Sequence, residues 1–180
     1  MDLAPIRGTS MLEGLTTSHL DELEAIATEQ QALEGQRLFK RGDVANTFYI
    51  VMDGVFALTV ALRRLDAPVE LGVEEKRPGD ALGWSALVAP HDSTYSCFCT
   101  EKGSVAAFPR SPLEARLASD PELAHRFMTN LAQTVGDRVR ALQNLWIEEI
   151  QQSMARVNYW THDRITSHVS EALDTDRSEH

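Results

Sequence analysis

A chain of 180 residues with 43% hydrophobic side chains is long enough for one domain with an ordinary core. Its formal net charge of -10 excludes a broad phosphate-binding surface, because nucleic-acid affinity comes mostly from clustered Lys and Arg. No run is apolar enough to span a bilayer, and Met1–Ser10 carries Asp2 without the hydrophobic stretch of a secretion signal, so a cytoplasmic protein that binds neither membrane nor nucleic acid is expected.

Residues 1–11 read as an N-terminal tail. The stretch "LTTSHLDELEAIATEQQAL" then places Leu20, Leu23, Ile26 and Ala27 on one face at helical spacing, with Thr17 or Ser18 as the cap. From Gly35 to Pro109 the pattern changes to short runs of Val, Ile, Leu, Phe and Tyr separated by Gly, Asp and Pro. Strands are expected at Gln36–Lys40, Thr47–Met52, Val55–Leu65, Val69–Val73, Tyr95–Thr100 and Ser104–Phe108. Turns are expected at "RGD", "MDG", "LDAP", "RPGD" and "EKG", a layout suited to an antiparallel barrel. Cys97 and Cys99 are neighbours on one face of a strand, too close in the chain for a disulfide, and are expected as buried thiols.

Beyond Phe108 the pattern is helical. Ser111 with Pro112 and Glu114 forms a capping box for a short helix through Leu117, and Asp120 with Pro121 repeats the start signal. A stripe of Leu123, Phe127, Leu131, Val135, Val139, Leu142, Trp146, Ile150, Met154 and Val157 follows at steps of three and four. A stripe of this length either packs on the barrel alone or forms a homodimer seam through Val135, Leu142, Trp146 and Ile150, and because it outruns one face of a small barrel the seam is the expectation. A second short helix is expected at Tyr159–Leu173, with Asp174–His180 as a polar tail. The fold class is therefore α+β, mainly β: an antiparallel β-roll or jelly-roll barrel with an N-terminal helix and a long C-terminal dimerisation helix. Its domain spans 12–158, with a short helix and polar tail at 159–180.

Within this frame, "GLTTSHLDELEAIA", "LFKRGDVANTFYIVMDGVFALTV" and "RPGDALGW" closely resemble the cyclic-nucleotide-binding domain family, the ligand-sensing half of catabolite-activator-type regulators. The resemblance covers roughly Leu12 to Ile150. It implies a phosphate site on the short turn Gly83, Trp84, Ser85 and Ala86, whose backbone N–H groups face the ligand. It further implies a glutamate after the glycine for the ribose and an arginine about ten residues later for the phosphate, and these fall on Trp84 and Ser93. No arginine occurs between Arg77 and Arg110. What remains is neutral: hydroxyls of Ser85, Ser93 and Thr94 and an indole that either stacks on a ring or fills the hole. On the long helix the resemblance brings Arg138 and Val139 to the ligand's base.

The resemblance also implies a winged helix-turn-helix after the long helix, and the residues following Trp160 are too few to build one, so a sensor or adaptor without its own DNA-binding domain is expected, working with a protein partner the sequence does not name. A catalytic role is not expected. His19, His91, His125, His162, His168 and His180 fall on helices, a loop and the tail and not on neighbouring strands, so no metal site is expected, and Ser85, Ser93 and Ser96 lack an oriented base and acid. No cofactor is expected beyond a cyclic nucleotide or other small effector. The competing reading is a structural interaction module with no small-molecule ligand.

Overall fold

A computed structural model of the protein describes residues 2–63 and 68–176, and side chains within 2–62 and 69–154. The chain falls into two units, 1–134 and 135–180.

The first unit is built on a six-stranded antiparallel sheet. Its strands are β1 (Thr28–Ala32), β2 (Arg37–Phe39), β3 (Thr47–Arg63), β4 (Pro68–Lys76), β5 (Ala81–Leu82) and β6 (Ser96–Pro109). The order is β1-β6-β3-β4, with β2 also on β6 and β5 also on β3. One face of β3 and β6 contributes Val51, Phe56, Leu58, Cys97, Cys99 and Val105 to the interior of the roll, joined by Ala32 and Leu82. The other face contributes Phe48 and Phe108, whose ring centroids are 6.1 Å apart, and the Phe48 ring also meets Phe127 from the C-terminal helix at 5.6 Å. Alternation along the strands thus builds two apolar layers, one inside the roll and one under the helices.

Two expected turns are absent, and their glycines explain why. "MDG" and "EKG" lie inside the long strands β3 and β6, opposite each other where the register shifts. Gly54 has φ 78°, which a bulge demands as much as a hairpin turn does. A Cβ on Gly103 would lie 2.0 Å from the Asp53 carbonyl oxygen and 2.7 Å from Gly54 Cα, so the two backbones pass closer than any side chain permits.

The helices are α1 (Thr17–Ile26), α2 (Arg110–Ser119) and α3 (Pro121–Asp176). Thr16, one residue before the expected caps, closes α1 by accepting from His19 N, and the chain leaves the helix at Ala27 with extended dihedrals to form β1, where the sequence pattern extends the helix to Leu33. Ser111 does not cap α2, which starts one residue earlier behind Pro109. Asp120 does cap α3, accepting from Glu122 N and Leu123 N at 3.0 and 3.1 Å. Those backbone donors, with His19 and Arg116 nearby, hold its carboxyl below the ordinary range. The helix expected at Tyr159–Leu173 is a continuation of α3, since no Gly or Pro interrupts the chain there; Asp174 to Asp176 are helical too, and 177–180 lie outside the described residues.

Among residues 2–11, expected as an N-terminal tail, several pack into the first unit. Leu3 and Ile6 are fully buried and Met11 nearly so. Leu3 N and the Arg7 guanidinium both donate to Glu24 of α1, and these two, in that order, lower its pKa. Asn130 of α3 donates to the carbonyls of Met11 and Glu13.

Gly103→Ala should lower the stability of the fold by about 2–3 kcal/mol, the cost of overpacking a site that cannot yield, and urea unfolding should show it as an earlier midpoint with an unchanged slope.

Candidate functional site

The turn after β5 is the part of the roll where backbone donors are left over. Gly83 sits in the left-handed region at φ 68°, and a Cβ there would meet the Thr47 carbonyl oxygen at 2.8 Å and the Tyr49 ring at 3.3 Å. Only glycine fits. It launches a single 3-10 turn, Trp84–Ala86, in which Ala86 N returns to Gly83 O at 2.9 Å. Among the described residues, the N–H groups of Trp84 and Ser85 have no hydrogen-bond partner.

The following loop folds back over this turn. His91, with φ 65°, places Nδ1 3.2 Å from the Ser85 carbonyl oxygen. Its own carbonyl accepts from Ala45 N at 2.6 Å, and Ser93 exchanges backbone bonds with Gly42 and Asp43. The segment 42–45 is thereby laced to 91–93, bringing Ser93 alongside the same part of the roll as Ser85. Both serines are buried, and among the described residues neither hydroxyl has a hydrogen-bond partner. Thr94 is exposed. His91, expected from the sequence only as a loop residue, is half-buried and closes the loop; no local sequence signal marks it.

The aromatic content is as informative as the missing charge. Trp84 is half-buried and is not part of the core. Phe39 and Tyr49 stack at 6.0 Å with their planes 17° apart, and with Leu38 and Tyr95 they are partly buried against the roll's inner core. Burial pushes the Tyr49 phenol up, so it stays protonated. Cys97, pushed up to about 12 by burial and by its neighbour Cys99, is a thiol and no nucleophile. Among the described residues no cluster of His, Cys, Asp or Glu could hold a metal, and no helix is long and apolar enough to cross a membrane.

A family model for the cyclic nucleotide-binding domain matches residues 29–120. The chain belongs to the cyclic nucleotide-binding domain family. Over 125 residues it is 28% identical to the HTH-type transcriptional regulator Cmr of Mycobacterium tuberculosis (strain CDC 1551 / Oshkosh), covering 68% of this chain and 50% of the relative. Over 129 residues it is 27% identical to Glutaminase 1 of Bradyrhizobium diazoefficiens, covering 72% of this chain and 20% of that one. The chain therefore spans half the length of the first curated relative and a fifth of the second. A crystal structure described as a candidate cyclic nucleotide-binding protein from Geobacter metallireducens GS-15 superposes with a TM-score of 0.67 at 22% identity, covering 77% of this chain and 98% of that one. The likeness confirms the roll with its flanking helices.

Arg138 and Val139, expected at the ligand's base, lie in the second unit, as do Val135, Leu142, Trp146 and Ile150. Arg138 is half-buried, and its neighbour Val139 is exposed. The stripe of α3 changes character there. Leu123, Phe127 and Leu131 are core residues, whereas Leu142, Trp146, Ile150 and Met154 are exposed, Trp146 at 75%.

Trp84→Ala should cost about 1–2 kcal/mol, well under the ~3–5 kcal/mol expected for the fully buried Phe48→Ala, and paired thermal melts should separate the two.

Proposed function

We propose that the protein is a non-catalytic, ligand-sensing regulatory module that works as a cytoplasmic homodimer and binds cAMP and cGMP poorly. The observation that carries the reading is the turn at Gly83: it keeps the amides that would face a ligand, while Trp84 and Ser93 stand where the resemblance places a glutamate and an arginine. Each lost charge-assisted bond is worth about 1.5–3 kcal/mol, so the pair lowers nucleotide affinity by a few powers of ten. The half-buried indole and the serine hydroxyls Ser85 and Ser93 suit a ligand with a planar apolar body, touched by Gly83, Trp84, Ser85, Ala86, Ser93 and Thr94.

Calorimetry with cAMP and cGMP should show no binding at micromolar concentration, and Trp84→Glu with Ser93→Arg should create measurable affinity for at least one of them. Micromolar binding by the unaltered protein would refute the altered pocket. A structural interaction module, by contrast, would be protected against heat by no small molecule at all.

The dimer reading is supported by the apolar row Val139, Leu142, Leu145, Trp146, Ile147, Ile150 and Met154, which is exposed in the single chain and continues from half-buried Val135. Replacing Leu142 and Trp146 with aspartate should bury charge in the seam and give monomers by light scattering. An unaltered protein that is monomeric at high micromolar concentration would remove the seam.

A further inference from the structure

The apolar face of α3 between 139 and 154 is wider than one partner helix covers. At 3.6 residues per turn Leu145 and Ile147 mark its two edges, and Val139, Leu142, Trp146, Ile150 and Met154 fill the roughly 200° between them. A two-stranded seam uses about two apolar residues in seven, whereas a helix with a neighbour on each side uses about three. Seven of the sixteen residues 139–154 are large, apolar and exposed, which is the higher figure. The edges are as open as the centre, with Leu145 60% exposed, Ile147 52% and Ile150 50%. The opposite side is polar, carrying Asp137, Arg140, Asn144, Glu148 and Gln151, so the arc is a true face.

Two charges fall within the arc, and both lie at one edge. Arg138 and Glu149 sit within about 40° of Leu145 around the helix, with Leu142 beside them. The edge reads Arg138, Leu142, Leu145, Glu149 in steps of four, three and four, the same from either end except that the charges are opposite. Two such edges laid antiparallel set Arg138 of each copy against Glu149 of the other, with Leu142 against Leu145 twice between. Laid parallel, they set like charge on like at both ends, which opposes association. Arg138 also interacts within its own chain, and a guanidinium has five donors, so the pairing adds to that contact. The other edge, through Gln143, Ile147 and Met154, is uncharged. Residues 135–154 hold two arginines, one aspartate and two glutamates in a chain of net charge -10, so like copies meeting here escape most of the self-repulsion of the whole chain.

We propose that α3 docks on a second homodimer as well as on its own partner, the two dimers meeting antiparallel along Arg138, Leu142, Leu145 and Glu149 to form a four-helix bundle. This rests on the homodimer reading and extends it from two chains to four. Each helix of such a bundle has one neighbour at each edge of its apolar arc. Trp146, at the middle of the arc and the most exposed of its residues at 75%, then faces the bundle axis.

The experiment is sedimentation equilibrium and light scattering of the full chain from low to high micromolar concentration. The unaltered protein should reach four chains and fall to two on dilution. Leu145→Glu should stay at two chains at every concentration with unchanged helix content by circular dichroism. Arg138→Glu and Glu149→Arg should each raise the dimer–tetramer dissociation constant by about tenfold or more, and the two together should bring it back near the unaltered value. Position 149 is exposed and 138 half-buried, so the charge variants carry the test even if Leu145→Glu does not fold. Four chains that survive Leu145→Glu, reversals that weaken nothing, or single losses that the double variant does not recover overturn the antiparallel edge. An unaltered protein of two chains at the highest concentration overturns the bundle and leaves the homodimer standing; one chain removes both.

Discussion

The approach of β3 to β6 at Gly54 and Gly103 governs the rest of the first unit. Every other strand pairs with one of these two, β1 and β2 with β6 and β4 and β5 with β3. Both long strands cross from the helix-facing layer, where Phe48 meets both Phe108 and Phe127, to the stretch that holds Phe56 and Cys99 inside the roll. A strand that passes between layers must bend, and a bulge bends it by leaving residues unpaired. Here the two bulges face each other, so each backbone occupies the space the other's side chain would need. The bend and the close approach are a single constraint.

That bend sets the chemistry of the interior. It places the pairs Phe56–Lys76 and Leu58–Glu74 in the same apolar layer as Cys97 and Cys99, and burial then disables the thiols, while the Lys76–Glu74 ion pair brings charge to the layer. The turn at Gly83–Ala86 contributes a different character, with spare amides and the Ser85 hydroxyl but no formal charge of its own.

Much of this architecture was legible in the residues. The helical spacing of Leu20 and Leu23, the Asp120–Pro121 start of α3 and the β-type runs from Arg37 to Pro109 all correspond to observed elements. The misread features share one cause: local chemistry has more than one solution. A glycine beside an aspartate serves a left-handed bulge as well as a hairpin turn, and only pairing with β6 decides for Gly54. Ser111 has the spacing of a cap, but the chain arrives at the helix already extended through Pro109. In the site, Gly83 and its turn were recognisable because their spacing is local. His91 was not, since its place depends on a loop folding back on Ser85.

The packing of the first residues bears on how this sequence can vary. Thr9 lies against Gly79, in the turn that joins β4 to β5, and a Cβ at Gly79 would come within 2.6 Å of Thr9 Cγ2. Trimming Thr9 to serine or alanine would clear that volume, yet Gly79 also has φ 97°, which side chains of L-residues avoid whatever the space around them. The two positions are thus coupled in one direction only. No change at position 9 therefore releases position 79 from glycine, because the backbone conformation and not the neighbouring side chain sets that demand.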